Sequence, residues 1–134
     1  MYNIEIELNE KELALVLKKP ELVRKGLLRG VRNSMLMAES YAKKTFNTPG
    51  HLKVQSGRLR SSITASTKEQ GKYVVGLIGT DVVYGAIHEY GGIHPRSKTI
   101  RMPARPYIGP SFTDDKLNKY AEQIKKSIME EVKQ

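Results

Sequence analysis

The chain has 134 residues and neither cysteine nor tryptophan. Without Cys there is no disulfide framework and no thiolate metal site, and folding in a reducing compartment such as a cytoplasm is expected. No run of about 18 apolar residues occurs, so no membrane-spanning helix and no membrane partner are expected. Histidine is scarce as well: His51, His88 and His94 are the whole supply. The opening "MYNIEIELNEKE" is acidic and alternating, unlike the basic-then-apolar pattern of a signal peptide. No internal repeat, low-complexity tract or linker breaks the sequence. One domain spanning 1–134 is expected, long enough to bury roughly two-thirds of its unfolded surface.

Acidic residues are thin in one region only. The net charge is +9, and residues 51–110 hold nine basic against three acidic groups, while residues 111–134 balance at five each. Such an excess attracts phosphate backbones or acidic proteins and speeds encounter with either. Charge alone does not choose between them.

Local patterns predict an α+β chain, a small antiparallel sheet packed against a long helix and a C-terminal helix. Ile4, Ile6 and Leu8 alternate with Asn3, Glu5 and Glu7, the period of a half-buried strand. Asn9 with Glu12 three residues on forms a capping box, opening a short helix to about Lys19. Pro20 suits the first position of the next helix. There Leu27, Val31, Met35, Ala38, Ala42 and Phe46 recur every three or four residues, one long amphipathic helix ended by "NTPG" at 47–50. Residues 62–67 and 73–79 read as a hairpin turning at Gly71. Asp81 is expected to cap a brief helix from Val82 to Tyr90, closed by Gly91 in a left-handed conformation. Pro95, Pro103 and Pro106 make 93–109 extended or turning. Thr113 then starts a helix with the ladder Leu117, Tyr120, Ile124, Ile128 and Val132.

The chemistry-bearing residues concentrate in "YGAIHEYGGIHPRSKTIRMPARPYIG", 84–109. His88-Glu89 opens like a zinc-protease helix, but the second His that such a helix needs four residues later is replaced by Gly92. No metal site, cofactor or catalytic residue is therefore assigned. No Ser lies in a Gly-x-Ser-x-Gly elbow, and "GLIGTD" lacks the Lys-Ser/Thr of a phosphate loop. Glu89, in a mostly apolar helix, is expected to be partly buried and to need a cation, with Arg58, Arg60 and Arg105 as candidates. "HPRSKTIRMPARP" keeps a basic nucleic-acid-binding module open as an alternative, although no helix-turn-helix, zinc finger or RNA-binding motif is legible. Tyr84, Tyr90 and Tyr107 supply the aromatics that such a module interleaves with its bases, although the near-helical spacing of Tyr84 and Tyr90 is equally open to packing.

Three stretches together carry a resemblance. "SGRLRSSI" (56–63) is similar to the Thr/Ser-Gly-x-Leu-Arg-x-Ser-Ile signature of the Z-type minor tail proteins, also called phage virion morphogenesis proteins. "VYGAIHEYGG" (83–92) resembles their Tyr-Ala-x-x-x-Glu-[Tyr/Phe/Gly]-Gly segment, and "MPARPYI" (102–108) their x-Pro-Ala-Arg-Pro-Phe-[Leu/Ile] element. Order and spacing agree from about Glu10 to Val132, with Gly85 in place of Ala and Tyr107 in place of Phe. The resemblance implies one tail-completion or neck-like domain, a non-enzymatic subunit of the virion that assembles in the host cytoplasm. Its implied partners are other neck, head-closure and tail-tube proteins and copies of itself, with DNA passing the neck as a further candidate. Leu59 and Ile63 are expected to anchor the first hairpin strand. Pro103 and Pro106 stiffen an arm that binds with little loss of entropy. Contact residues expected from this reading are Arg58, Arg60, Glu89, Arg96, Lys98, Arg101, Arg105 and Tyr107.

Overall fold

In a computed structural model the chain is α+β, with a two-stranded antiparallel sheet against a long helix and the C-terminal helix. The structure describes residues 4–46, 57–71, 73–82, 85–93, 101–102, 104 and 106–134. In order, the elements are α1 (Glu10–Lys18), α2 (Pro20–Thr45), α3 (Arg58–Ser62), β1 (Thr64–Gln70), β2 (Tyr73–Gly79), α4 (Gly85–Tyr90), β3 (Gly92–Ile93), β4 (Arg101–Met102), a 3-10 turn (Gly109–Phe112) and α5 (Asp114–Val132). Chain contacts divide them into two compact units.

The first unit comprises 1–36, 66–77 and 114–134. Its α1 starts at the expected capping box: Asn9 accepts from Glu12 N and Glu12 accepts from Asn9 N, at 2.9 and 3.1 Å. Such a cap is worth about 1 kcal/mol. Pro20 opens α2 as expected. On α5, Tyr120, Ile124, Ile128 and Val132 are buried, joined by Ser127 and Glu131.

Helices α2 and α5 approach backbone to backbone. A Cβ on Gly26 would stand 2.6 Å from Ile128 Cα, and one on Gly30 would stand 2.7 Å from Ile124 Cα. One turn further on, buried Ser34 donates to Tyr120 O at 3.3 Å. The stripe Gly26–Gly30–Ser34 is thus the face of α2 against α5. Each mid-helix glycine costs about 1 kcal/mol relative to Ala; close approach is what it makes available. Around this seam Arg29 donates to Glu131 at 2.8 Å, to Glu130 at 2.9 Å and to Ser127 O at 3.2 Å. Lys19 Nζ donates to Val132 O and Gln134 O at 2.8 and 2.9 Å, placing a cation on the negative end of α5. Gly76 of β2 lies against Met35 and Val31 of α2.

The second unit comprises 37–65 and 78–113. Ala42, Phe46, Leu59, Ile63, Val82 and Tyr107 form its core, with Ile78 and Ile108 packed alongside. Phe46 and Tyr107 meet as a tilted ring pair, centroids 5.5 Å apart.

Several expectations need correction. Residues 4–8 keep the alternation, Ile4, Ile6 and Leu8 half-buried and the glutamates exposed, but form no strand. Period two reports which side is covered, and a ladder needs a partner as well. The first hairpin strand begins at Thr64, not 62, because 58–62 close into a helical turn. Gly57 enters it at φ 80°, Ser61 N bonds Gly57 O at 2.9 Å, and the hydroxyls of Ser61 and Ser62 bond back to Arg58 O and Leu59 O. Such local bonds offer the backbone an alternative to a ladder. Leu59 therefore reaches the core from a helix and Ile63 from the residue after it. Asp81 is exposed, and the oxygen that accepts from Val82 N is that of Thr80, at 3.0 Å. The helix starts later, at Gly85, and Gly91 closes it with φ 76° as expected. Strands β3 and β4, paired antiparallel with Gly92 opposite Met102, were not anticipated. The "NTPG" terminator at 47–50 falls outside the described residues.

Candidate functional site

Glu89 sits near the end of α4 with 9% of its surface exposed. Its carboxylate accepts three consecutive backbone N–H groups: Tyr107 at 2.9 Å, Ile108 at 2.9 Å and Gly109 at 2.8 Å. Successive amides converging on one anion form a nest, here at the start of the 3-10 turn. Pro110 follows directly and has no N–H to offer. Ser111 N bonds Ile108 O at 2.9 Å, which closes the turn. Main chain meets the carboxylate; of the guanidiniums expected beside it, that of Arg105 lies outside the described residues. Arg60 turns its Nε to Lys43 O at 3.1 Å instead.

Tyr107 is held from the other side. With 1% exposure, its ring lies in the core and its hydroxyl donates to Gly85 O at 2.9 Å. Burial first, then the charge of Glu89 and the proximity of Tyr90, push its pKa up to about 12. The phenol stays a donor through the physiological range. A Cβ at Gly85 would stand 2.9 Å from that same hydroxyl and 2.5 Å from Thr80 Cγ2. The two departures from the family pattern, Gly for Ala at 85 and Tyr for Phe at 107, therefore meet in one place. The added oxygen occupies room that the missing methyl leaves.

Of the other expected contact residues, Arg58 and Arg60 are exposed on α3 and Arg101 is exposed on β4. Arg96, Lys98 and Arg105 lie outside the described residues. Buried Tyr107 can serve a contact only by holding the arm from beneath. Tyr90, which the spacing left open between packing and a place among the bases, is 81% exposed. Helical spacing shows that Tyr90 shares a face with its neighbours, but α4 ends at Tyr90 itself. Among the described residues no cluster of three His, Asp or Glu side chains is arranged to hold a metal ion.

The arrangement is suited to display. Glu89, Tyr107 and Pro110 fix the backbone of 107–111 from within the unit, and arginines stand on its outside. The sequence model of the phage virion morphogenesis family matches residues 35–130. The Mu-like prophage FluMu G protein 2 of Haemophilus influenzae is 29% identical over 121 residues, covering 78% of this chain and 83% of that protein. No solved structure matches the chain.

Proposed function

This chain belongs to the phage virion morphogenesis family, and from that premise we propose that it is a non-enzymatic structural protein of head–tail joining or tail completion. It works by protein–protein assembly, in a ring, within the virion and, during assembly, in the host cytoplasm. Its partners are copies of itself and the neck, head-closure and tail-tube proteins beside it.

The observation that carries this reading is the Glu89 nest. A carboxylate saturated by three main-chain donors at 2.8–2.9 Å is committed to holding the arm and has little capacity left for acid–base work. A pre-shaped arm loses little entropy on docking, which suits a subunit that must fit neighbours by shape and charge. The contact set we assign is Arg58, Arg60, Arg96, Lys98, Arg101 and Arg105, with Glu89 and Tyr107 beneath them.

The decisive experiment is deletion of the gene from an inducible prophage, with electron microscopy of the particles. Unjoined heads and tails, restored by the wild-type gene and not by Glu89→Ala, are expected. Normal infectious particles from the deletion would defeat the proposal. The basic excess of 51–110 favours a second reading, contact with the DNA that passes the neck. Salt-dependent duplex binding by the isolated protein, lost on replacing Arg96, Lys98, Arg101 and Arg105, would select it.

A further inference from the structure

Helix α1 packs on α5, is fastened to it at two points and has no buried residue of its own. Near its start Glu12 meets Lys125 Nζ at 3.2 Å, and just past its end Lys19 Nζ meets Val132 O at 2.8 Å. Both steps span seven residues in the same direction, so the two helices run parallel. The half-buried residues of 10–19 are Glu12, Leu15, Val16 and Lys19, one stripe at helical spacing. The matching positions on α5 are Lys125, Ile128, Met129 and Val132, and the last three are buried. Leu15 and Val16 therefore lie over Ile128 and Met129, between the two fastenings.

The fastenings are unequal. Lys19 donates to Gln134 O as well, at 2.9 Å, and its own backbone has left the helical region, with φ −133° and ψ 62°. Pro20 then opens α2 and, lacking an N–H, makes no helical bond back into α1. That end is a pivot tied down by two bonds. Glu12 is a clasp, one ion pair whose side chains are 19% and 37% exposed. Leu13 and Leu17 look away from α5, 46% and 72% exposed, and contribute little to holding α1 down. The α2–α5 seam is of another kind, backbone against backbone with Arg29 bonded across it. We infer that α1 is a hinged strap, swinging on Lys19–Pro20 when the Glu12–Lys125 clasp opens and uncovering Met129 while the α2–α5 seam stays shut. The Asn9–Glu12 box lies within the strap, so the helix swings whole. This device belongs to the first unit alone and does not depend on the assembly reading.

Because the chain has no cysteine, one introduced thiol reports exposure without background. The test compares maleimide labelling of full-length Met129→Cys, under the strap, with that of Ser34→Cys, in the buried seam. Met129→Cys should react about a hundredfold faster or more, since it needs only a local opening and Ser34→Cys a global one. Sub-denaturing urea should accelerate Ser34→Cys steeply and Met129→Cys weakly, because the strap exposes little surface on opening. Glu12→Gln keeps an acceptor for the cap and loses the charge of the clasp, so it should speed labelling at 129 by about threefold. Gly30→Ala strains the seam and should speed labelling at 34 by about tenfold while leaving 129 within about twofold. Val16→Cys, on the strap itself, reads the same opening from the other side and serves if Met129→Cys does not fold.

Equal rates and equal urea dependence at 129 and 34 overturn the inference, for α1 then leaves α5 only when the whole chain unfolds. So does a Met129→Cys that reacts as fast as the same thiol in the unfolded chain, since nothing then covers it. Labelling at 129 that ignores Glu12→Gln removes the clasp, and an acceleration by Gly30→Ala shared equally by both probes means that the seam opens with the strap; either result defeats the hinge.

Discussion

The two units reach stability by different routes. The first carries fourteen basic and eleven acidic residues, the second nine and three. In the first, carboxylates are spent on cations: Glu12 on Lys125, Glu69 on Arg24, and Glu130 and Glu131 on Arg29. In the second, two of the three carboxylates are spent on main chain, Glu89 on three amides and Glu39 on Ala65 N at 3.1 Å. The second unit keeps a basic excess, and its described Arg58, Arg60 and Arg101 are exposed. A balanced unit that packs by close approach and a basic unit that pins an arm suit different contacts, an apolar one and a charged one.

The sharpest way to break this comparison is at the glycines. Helix propensity alone says that Gly26→Ala with Gly30→Ala should stabilise, by about 1 kcal/mol per site. The backbone of α5 at 2.6 and 2.7 Å says the reverse. We expect a net loss of about 3 kcal/mol or more in denaturant unfolding, as overpacking against backbone cannot relax through a side chain. A gain would mean that α2 and α5 do not meet there.

Next in size is Glu89→Ala, expected to cost about 3 kcal/mol because three donors lose a charged acceptor together. Glu89→Gln, which keeps an acceptor and loses the charge, should fall between. If Glu89→Ala unfolds like wild type, the arm is held by something else.

A smaller, pH-dependent effect belongs to Tyr107. Its proton is held to about pH 12 in the fold and to about 10 in an unfolded chain. The contribution is complete below about pH 10 and is lost as pH rises towards 12, where the folded phenol ionises. Stability of wild type relative to Tyr107→Phe should therefore fall across that window and nowhere lower. The smallest change is expected for Arg24→Ala. Its bond to Glu69 is short but solvent-exposed, and salt should erase what little it contributes.

Much of the first unit was legible residue by residue. The Asn9–Glu12 box, the Pro20 restart and the ladder on α5 are short-range rules, met within four positions of the chain. The glycine seam escaped notice although its signal, two Gly four apart in an amphipathic helix, was present in "GLLRG". Its meaning depended on α5, about a hundred residues away. In the second unit the family motifs marked the right segments but not their roles. The helical turn at 58–62, just before the strand expected from 62, is not legible in "SGRLRSSI" because it is made by back-bonding serines and a left-handed Gly57.

By itself the sequence determined α1, α2 and α5, the turn at Gly71, the basic middle and the family, since these rest on local periodicity, charge counts and short motifs. Tertiary structure alone decided that three amides meet Glu89, that Tyr107 lies inside and Tyr90 outside, and that Leu17 and Leu77 face water. The physical reason is common to all of these. A side chain's partner is set by which distant backbone folds against it, and no pattern within a single element carries that information.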